Sequence, residues 1–553
     1  MDADVLRSVR RRSLARLRQE VEPVDADALG RFAMAWHGVG SGRRGLEALL
    51  DVVEQLQGAA IPASMLETEI LPARVSDYQP AMLDTLMAAG EVVWAGVAPL
   101  GARDGRVALY LTDHVIRLRA PAAPDAASQP TGRAGDVLSY LRNHGASFFA
   151  EIHQGTGAGF PQETVDALWD LVWAGQIRND TLHPLRAYVR AEEKKTHRRP
   201  RTQPFRSRRL IPRTAEGRWS VLDARKASRA VMTEWSAALA QQLLTRHGVV
   251  TRETVAAEAI AGGFSAVYDV LKAMEEAGRI RRGYFVGGLG GAQFAVPPAV
   301  DMLRSFRDVP EEPRHVVLAA TDPANPYGAV VKWPLDFARG KRGERTDGSD
   351  SDGHGPTRSV GARVILVDGL AAGYLRRGER ELLLFTSDAE PQRSRIIREV
   401  ARALLELAAA RGPGNQGLLL AEINGEPAAT HPAAHLFAAE GFSTTAMGLQ
   451  ARIVSASDGI LIAGKRRGGI SMADTPRTSP DSVGKTPKSE HDAIRSSNDR
   501  DQAAEREGFV TEHNRGYDEA VRGRTSDDQE DLGDVDPDSA DSDVNRDDSI
   551  DEP

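Results

Sequence analysis

The sequence predicts an α+β multidomain protein: tandem winged-helix domains, then a small β-barrel and a C-terminal α/β unit, followed by a disordered acidic tail. A helix–glycine–strand junction occurs three times, and the hydrophobic period changes to alternation after Pro313. The end of the chain is acidic and poor in aromatic residues. At 553 residues the chain is too long for one core, so several folded units are expected.

The repeated junction is a helical run that ends in Ala-Gly, at Gly90, Gly175 and Gly278, and continues into a strand. The residues seven and four positions before each glycine are Leu or Met, and the residue two positions after it is Val or Ile. The first two share a helix face, the glycine supplies a left-handed cap, and the β-branched residue starts a strand. Three generic helical hairpins would share this spacing. With the helices upstream, the order favours N-terminal helices at 1–44 and winged helices at 45–125, 133–190 and 230–308.

Short alternating strands follow Pro313, as in HVVLAATDP, GARVILVDGL and ERELLLFT. Asp368-Gly369 between two of them is a two-residue hairpin signal. These strands predict a small β-barrel at 313–388. Helix and strand patterns beyond it predict a C-terminal α/β unit at 391–455.

Charge divides the chain into a basic body and an acidic tail. Residues 471–553 carry 24 Asp+Glu and 10 Lys+Arg, a net charge of −14, so the rest carries +6. The tail, 469–553, is predicted to be disordered. Residues 191–222 are predicted to form a basic linker arm, because prolines interrupt a dense run of cations. A solvated linker is the alternative to a phosphate-binding arm. The candidate phosphate contacts are Lys194, Lys195, Arg198, Arg199, Arg201, Arg206, Arg208 and Arg209.

Several classes of protein are excluded by what the sequence lacks. No apolar stretch approaches the roughly 20 residues that would span a bilayer, so a membrane protein is not expected. The sequence contains no cysteine, and with no signal-peptide pattern it is expected to be cytoplasmic. Gly484-Lys485-Thr486 lacks the glycine that a phosphate-binding loop needs five residues earlier, so nucleotide hydrolysis is not expected. We expect no metal and no cofactor.

Five segments resemble the C-terminal region of the large helicase-related (Lhr) proteins, bacterial superfamily 2 DNA helicases. They are ALWDLVWAGQIRNDTLHPLRA, FRSRR with GRWSVL, RGYFVGGLGGAQFAVP, LAATDPANPYG, and ILVDG with YLRRGERELLLF. The resemblance covers roughly Ser8 to Ile453 and excludes the tail. Full-length members place an ATP-driven 3′-to-5′ translocase before this region, and its motifs are not found here. The resemblance therefore implies a separated C-terminal portion without helicase activity.

The resemblance also implies tandem winged helices followed by a β-barrel, which is similar to winged-helix DNA glycosylases. Uracil-DNA glycosylase activity has been attributed to an Lhr C-terminal region. The Gln-apolar-Gln motif of the alkyl-base enzymes is not found here in its expected setting. The resemblance thus implies DNA repair, with base excision as an expected activity.

Glycosyl cleavage needs a flipped base and a carboxylate that stabilises an oxocarbenium-like sugar. The best local candidate is the segment Thr321 to Gly328, where two prolines rigidify a loop that carries Asp322 and Tyr327, with Trp333 nearby. We predict catalytic roles for Asp322 and Tyr327 and a nucleic-acid contact for Trp333. The alternative is a structural loop in which Asp322 caps backbone amides.

Further phosphate contacts are predicted at Arg279, Arg281 and Arg282, which flank the third predicted wing. The expected function is a DNA-binding module of an Lhr-type repair helicase, with uracil-type glycosylase activity. The alternative is a non-catalytic nucleic-acid-binding or oligomerisation module, and a sequence-specific transcription factor is a third reading. The expected partners are DNA, single-stranded or duplex, an RNA–DNA hybrid, and a helicase partner or a second copy of the chain.

Overall fold

The structure is a computed structural model that describes residues 22–122, 130–190, 211–223, 225–334, 355–387, 389–410 and 417–451. The acidic tail, the first 21 residues and positions 191–210 of the predicted basic arm lie outside these ranges. Within the described ranges, no helix is both long enough and apolar enough to cross a membrane.

The first module is a winged helix whose three strands form one antiparallel sheet in the order β1-β3-β2. Its elements are α1 (Ala26–Trp36), α2 (Gly45–Leu56), β1 (Ile61–Pro62), α3 (Ala63–Met65), a π-helical turn (Leu66–Ile70), α4 (Pro80–Ala88), β2 (Val92–Pro99), β3 (Gly105–Leu111) and α5 (Val115–Leu118). Gly90, with a φ of +82°, follows the end of α4 and directs the chain into β2, as the sequence predicts.

The middle module repeats the order helix, strand, two helices and two strands, but a helix and a 3₁₀ turn lie between its last two strands. Its elements are α6 (Gly132–His144), β4 (Ser147–Phe148), α7 (Phe149–Gly155), α8 (Pro161–Trp173), β5 (Ile177–Asn179), α9 (His183–Val189), a 3₁₀ turn (Arg213–Ala215) and β6 (Arg218–Val221). Its sheet has the order β4-β6-β5, which is the connectivity of the first module.

The last of the three modules is again a winged helix, with the sheet order β7-β9-β8. Its elements are α10 (Arg229–His247), β7 (Val249–Val250), α11 (Arg252–Ala257), α12 (Ser265–Glu276), β8 (Arg281–Gly283), β9 (Gln293–Ala295) and α13 (Pro297–Ser305). We call it the third module.

Burial explains why the same junction recurs in the three modules. The leucine seven residues before each junction glycine is fully buried, and the β-branched residue two positions after it is at most 2% exposed; these residues are Leu83, Leu168, Leu271, Val92, Ile177 and Ile280. Burying one such side chain stabilises a module by roughly 1.5–3 kcal/mol. The helix and the strand on either side of the glycine therefore contribute to the same core.

Beyond the modules lies a six-stranded sheet in the order β10-β11-β12-β13-β15-β16. Its strands are β10 (His315–Ala319), β11 (Arg363–Val367), β12 (Leu370–Leu375), β13 (Glu381–Leu384), β15 (Glu422–Ile423) and β16 (Glu426–Pro427). Among the described residues the outer strands β10 and β16 do not pair, so the sheet is open and the predicted β-barrel is not observed. Ile365 and Val367 of β11 join one core, while Val364 and Leu366 join another. The sheet separates two cores, whereas a barrel would enclose one.

The remaining elements extend this sheet unit. They are α14 (Gln392–Ala409), β14 (Leu418–Leu420), α15 (Ala434–Glu440), β17 (Ser443–Thr445) and β18 (Gly448–Ala451), with the sheet order β14-β18-β17. β13 pairs in parallel with β15, so strands from the predicted ranges 313–388 and 391–455 belong to one sheet.

The predicted Asp368-Gly369 turn joins β11 to β12. Both residues have positive φ, +51° and +83°, as a two-residue type I′ turn requires. α1 packs so closely on this turn that a Cβ on Gly30 would lie 2.0 Å from the Gly369 carbonyl oxygen. Glycine at both positions therefore allows the first module to contact the sheet.

A buried ion pair also joins the first module to the sheet. The Arg74 guanidinium donates to both carboxylate oxygens of Asp322, at 3.0 and 2.7 Å, and both side chains are at most 1% exposed. Arg74 also donates to the Ile70 carbonyl, and Asp322 accepts the Ala324 amide. Because each charge satisfies the other, removing one leaves a buried charge without its partner.

We expect Asp322→Leu or Arg74→Met alone to lower the free energy of unfolding of this region by about 3–5 kcal/mol. The double variant removes both charges and should lose less than the sum of the two single variants. Hydrogen exchange of the amides in β10 and in the loop after it measures the effect. Strict additivity of the single losses would contradict the pairing.

His315, at the start of β10, connects that strand to α14. Its Nδ1 is 2.9 Å from Glu399 and its Nε2 is 3.1 Å from Glu406. Burial alone would lower the pKa of His315, but hydrogen bonds and charge attraction from the two glutamates raise it above 6.5. The protonated imidazole thus holds β10 against the helix.

This raised pKa predicts a pH-dependent contribution to stability. Because the folded pKa exceeds the unfolded value near 6.5, the contribution is complete below about pH 6.5 and is lost as the pH rises through the folded pKa. His315→Gln should therefore destabilise the unit more at about pH 5.5 than at about pH 8.5 in urea unfolding. The exposed His435→Gln is the control, and equal losses for His315→Gln at both pH values would refute the coupling.

Candidate active site and nucleic-acid contacts

A cavity of about 510 Å³ lies where α1, the β2–β3 hairpin, the end of α10 and the loop after β10 meet. Its wall combines apolar residues with a small set of polar and charged side chains, which include His37, Arg106, His247, Glu258, Thr321 and Arg358. Its size lies within the range of roughly 300–1,000 Å³ that is typical of ligand pockets. We call it the first cavity.

Glu258 supplies the carboxylate of the first cavity, directly after α11. Its Oε1 lies 2.5 Å from His247 Nε2, and its Oε2 accepts a hydrogen bond from Arg246. Burial by itself raises the pKa of Glu258, but the charges and hydrogen bonds of Arg246 and His247 outweigh it and lower the pKa to about 2. The carboxylate is therefore ionised at neutral pH.

His37, directly after α1, also lines the first cavity. The centroids of its ring and the His247 ring are 6.0 Å apart, and its Nδ1 is 3.5 Å from Arg74 Nη2. Burial, together with the charges of Arg74, His247 and Arg246, lowers the pKa of His37 well below 6.5. A neutral imidazole can both donate and accept a hydrogen bond.

Asp322 and Tyr327 belong to the loop that lines the first cavity, but their functional groups are used in the packing of that loop. The Asp322 carboxylate is paired with Arg74, and the Tyr327 hydroxyl donates to the Gly369 carbonyl at 3.0 Å. Burial raises the pKa of Tyr327. Their neighbours Thr321 and Asn325 line the cavity instead.

Three further side chains belong to this loop or contact it. Arg358 donates to the carbonyls of Asp322 and Asn325, at 3.0 and 2.7 Å, and burial lowers its pKa to about 10, which leaves it charged at neutral pH. Thr321 Oγ1 is buried and has no hydrogen-bond partner in the part of the chain that the structure describes. Trp333 packs against Tyr327 and Tyr374, with ring centroids 6.2 and 5.4 Å apart.

The predicted phosphate contacts of the third module lie at the start of its wing. Arg281 is 3.6 Å from Asp301, and the Arg282 guanidinium lies over the rings of Tyr268 and Phe294 at 6.0 and 5.6 Å. Arg279 precedes β8 and is partly buried. Lys194, Lys195, Arg198, Arg199, Arg201, Arg206, Arg208 and Arg209 lie outside the described residues.

The third helix of the middle module, α8, carries negative charge, in contrast to the arginines at the wing of the third module. The exposed side chains of α8 include Glu163, Asp166 and Asp170, and none of its residues is basic. Such a face repels a phosphate backbone. No group of three or more potential metal ligands occurs within the described ranges.

Comparisons with known proteins follow the same division into modules. Two family models described as "Large helicase-related protein, winged-helix domain" match residues 24–112 and 229–315. A solved structure, Streptomyces sahachiroi DNA glycosylase AlkZ, matches with a TM-score of 0.41 at 12% identity, covering 72% of this chain and 100% of that one. A likeness of that TM-score carries no argument about function.

Two curated relatives cover most of this chain. The "Lhr helicase/ probable uracil glycosylase" of Mycolicibacterium smegmatis is 44% identical over 77% of the chain and 28% of its own length. The "Lhr helicase/uracil glycosylase" of Escherichia coli K12 is 34% identical over 81% of the chain and 30% of its own length. The chain thus spans less than a third of the length of either relative. It contains two Lhr winged-helix domains and is homologous to the C-terminal part of the Lhr helicase/uracil glycosylase proteins.

Proposed function

We propose that this chain binds DNA and excises uracil from it, with the reaction in the first cavity. The observation that carries the proposal is Glu258, an ionised carboxylate on the wall of a ligand-sized cavity between two Lhr winged helices. The name of the relatives supplies the substrate class. We further infer that the middle module, whose sheet has the same strand order, is another winged helix.

In this proposal the uracil nucleotide leaves the base stack and enters the first cavity, as base-acting enzymes require. The bond between C1′ and N1 breaks, and its electron pair goes to the departing base. The positive charge that develops on the sugar is stabilised by the Glu258 carboxylate, while the cationic Arg106 favours the negative charge on the base. Water then bonds to C1′ and releases a proton, which neutralises the uracil anion.

The catalytic roles predicted for Asp322 and Tyr327 stay predictions, and the contacts support a positioning role for both. Arg74 and the Gly369 carbonyl hold these side chains, which fixes the loop whose Thr321 and Asn325 face the cavity. An Asp322→Ala variant would therefore lose activity through the loop even if the carboxylate never met the substrate.

DNA binding is proposed for the third module and the basic arm. Arg282 is held by two aromatic rings at the start of the wing, where a guanidinium can contact phosphate. Trp333 is proposed as a base contact next to the cavity loop. The acidic face of α8 supports assigning the middle module to a role other than phosphate binding.

Glu258→Gln should lower the rate of uracil excision at least about 100-fold, since it removes charge from the reacting centre while keeping the shape of the side chain. The measurement is strand scission by alkali after incubation of the intact chain with uracil-containing single-stranded DNA. Glu276→Gln, an exposed change on α12, is the matched control and should leave the rate unchanged. Because the Glu258 pKa is about 2, its protonation should not slow excision above about pH 4.

Wild-type excision that persists in Glu258→Gln would overturn the assignment of the carboxylate. A wild-type chain that binds the oligonucleotide but never excises uracil would instead favour the alternative, a binding or oligomerisation module for a helicase partner.

Replacing Lys194, Lys195, Arg198 and Arg199 by alanine should weaken DNA binding and flatten its salt dependence. Each lost phosphate contact reduces the slope of log affinity against log salt by roughly 0.7 for single strands and roughly 0.9 for duplex. Arg103, Arg142, Arg229 and Arg398, all exposed, provide a control of equal charge when they are replaced together. Titrations with single-stranded, duplex and RNA–DNA hybrid substrates measure the slopes. Equal slopes for the arm variant and the control variant would refute a role of the basic arm in DNA binding.

A further inference from the structure

A second cavity, of about 360 Å³, lies between the modules and is also lined by Glu258. Ala60, Val97, Glu258 and Ala259 line both this cavity and the first one. The two spaces are therefore neighbours with a common wall, and that wall carries the carboxylate proposed to act in excision.

Unpartnered polar groups line the second cavity. Tyr110 is 7% exposed, and its hydroxyl has no hydrogen-bond partner among the residues that the structure describes. Gln242 is also 7% exposed; its Nε2 donates to the carbonyls of Glu54 and Gln55, and across the same residues its Oε1 receives no hydrogen bond. Neither oxygen is shut off from solvent, so both are free to bond a ligand that enters the cavity.

The remaining wall restricts the chemistry of that ligand. Trp235 supplies an aromatic surface whose indole N–H is already bound to the Leu118 carbonyl, at 3.3 Å. The Arg119 guanidinium is held by the carbonyls of Leu222 and Gly175, and burial lowers its pKa. The cavity thus offers a hydroxyl and a guanidinium to carbonyl oxygens, an amide oxygen to an N–H group, and an indole to a flat ring.

We propose that the second cavity binds the free pyrimidine-2,4-dione base that leaves the first cavity. Uracil matches each group, since it is planar and alternates carbonyl oxygens with N–H groups around its ring. The inference rests on the proposed function, because it names where the product of that reaction is held. The second cavity adjoins the first at Glu258, and the sugar stays in the first cavity with the DNA.

Tyr110→Phe is the sharpest test, because it removes only a hydroxyl that bonds no described residue, so the thermal unfolding midpoint should not fall. Free uracil is titrated calorimetrically into the intact chain, and added uracil is also tested as an inhibitor of excision. The dissociation constant and the inhibition constant should each rise by about threefold to tenfold in Tyr110→Phe, as expected for one lost hydrogen bond. Tyr284→Phe, an exposed change after β8, is the matched control and should leave both constants unchanged.

The initial rate of excision without added uracil should stay the same in Tyr110→Phe, since the residue does not line the first cavity. Uracil that binds wild type and Tyr110→Phe equally, or does not bind, overturns the inference even when excision proceeds. Uracil binding that depends on Tyr110 in a chain that excises nothing supports the site and overturns the proposed reaction. The nucleoside 2′-deoxyuridine is the second probe, and binding of it as tight as that of uracil would overturn the assignment to the free base.

Discussion

The pairing of Arg246 with Glu258 is the interaction on which the proposed site depends. The Arg246 side chain is 2% exposed and donates both to Glu258 and to the Gln57 carbonyl of the first module. A guanidinium buried to this degree needs its partners, since an uncompensated charge in an interior is costly. This side chain thereby joins the third module to the first, as Gln242 also does, and keeps an ionised carboxylate at the wall between two cavities.

Arg74 and Asp322 show the same physics with a different outcome. Here both charges are at most 1% exposed, and the carboxylate is used fully by Arg74 and the Ala324 amide. The Glu258 side chain is 18% exposed and lines both cavities. Both carboxylates are paired with arginine, so the pairing does not distinguish them. Asp322 holds a loop, whereas Glu258 can contact a substrate, because only Glu258 has access to the cavity.

The modules could be predicted from sequence because their signals are local. A helix face, a left-handed glycine and a β-branched residue lie within ten positions of one another, and all act on one core. The predicted barrel is not observed in the described residues. Alternating strands are equally compatible with a barrel and with a two-sided sheet, and the packing of β11 against two cores favours the sheet. The sequence gives no signal for Glu258 as a site residue. Arg246 and His247 look like ordinary basic residues at the end of a helix, and their partner Glu258 follows only after a strand and another helix. Asp322 stands out in the sequence because it lies in a proline-rich loop, and the structure shows that it helps to keep this loop rigid. Its pairing with Arg74 spans 248 positions, so no local pattern indicates it.

Charge placement then limits how DNA can approach. The sequence outside the tail carries an excess of bases, yet the exposed face of α8 is acidic, so the excess is not spread evenly over the modules. The arginines at the wing of the third module belong to the same module as Glu258. In the proposed function, the cavity that Glu258 lines receives a flipped nucleotide, so no element of the protein has to enter a DNA groove at that point. In the proposed function, a strand bound at that wing presents its nucleotides close to the first cavity, while α8 repels the backbone from the middle module. The proposed binding and the proposed excision both require the first and third modules to keep their relative position, to which Arg246 contributes.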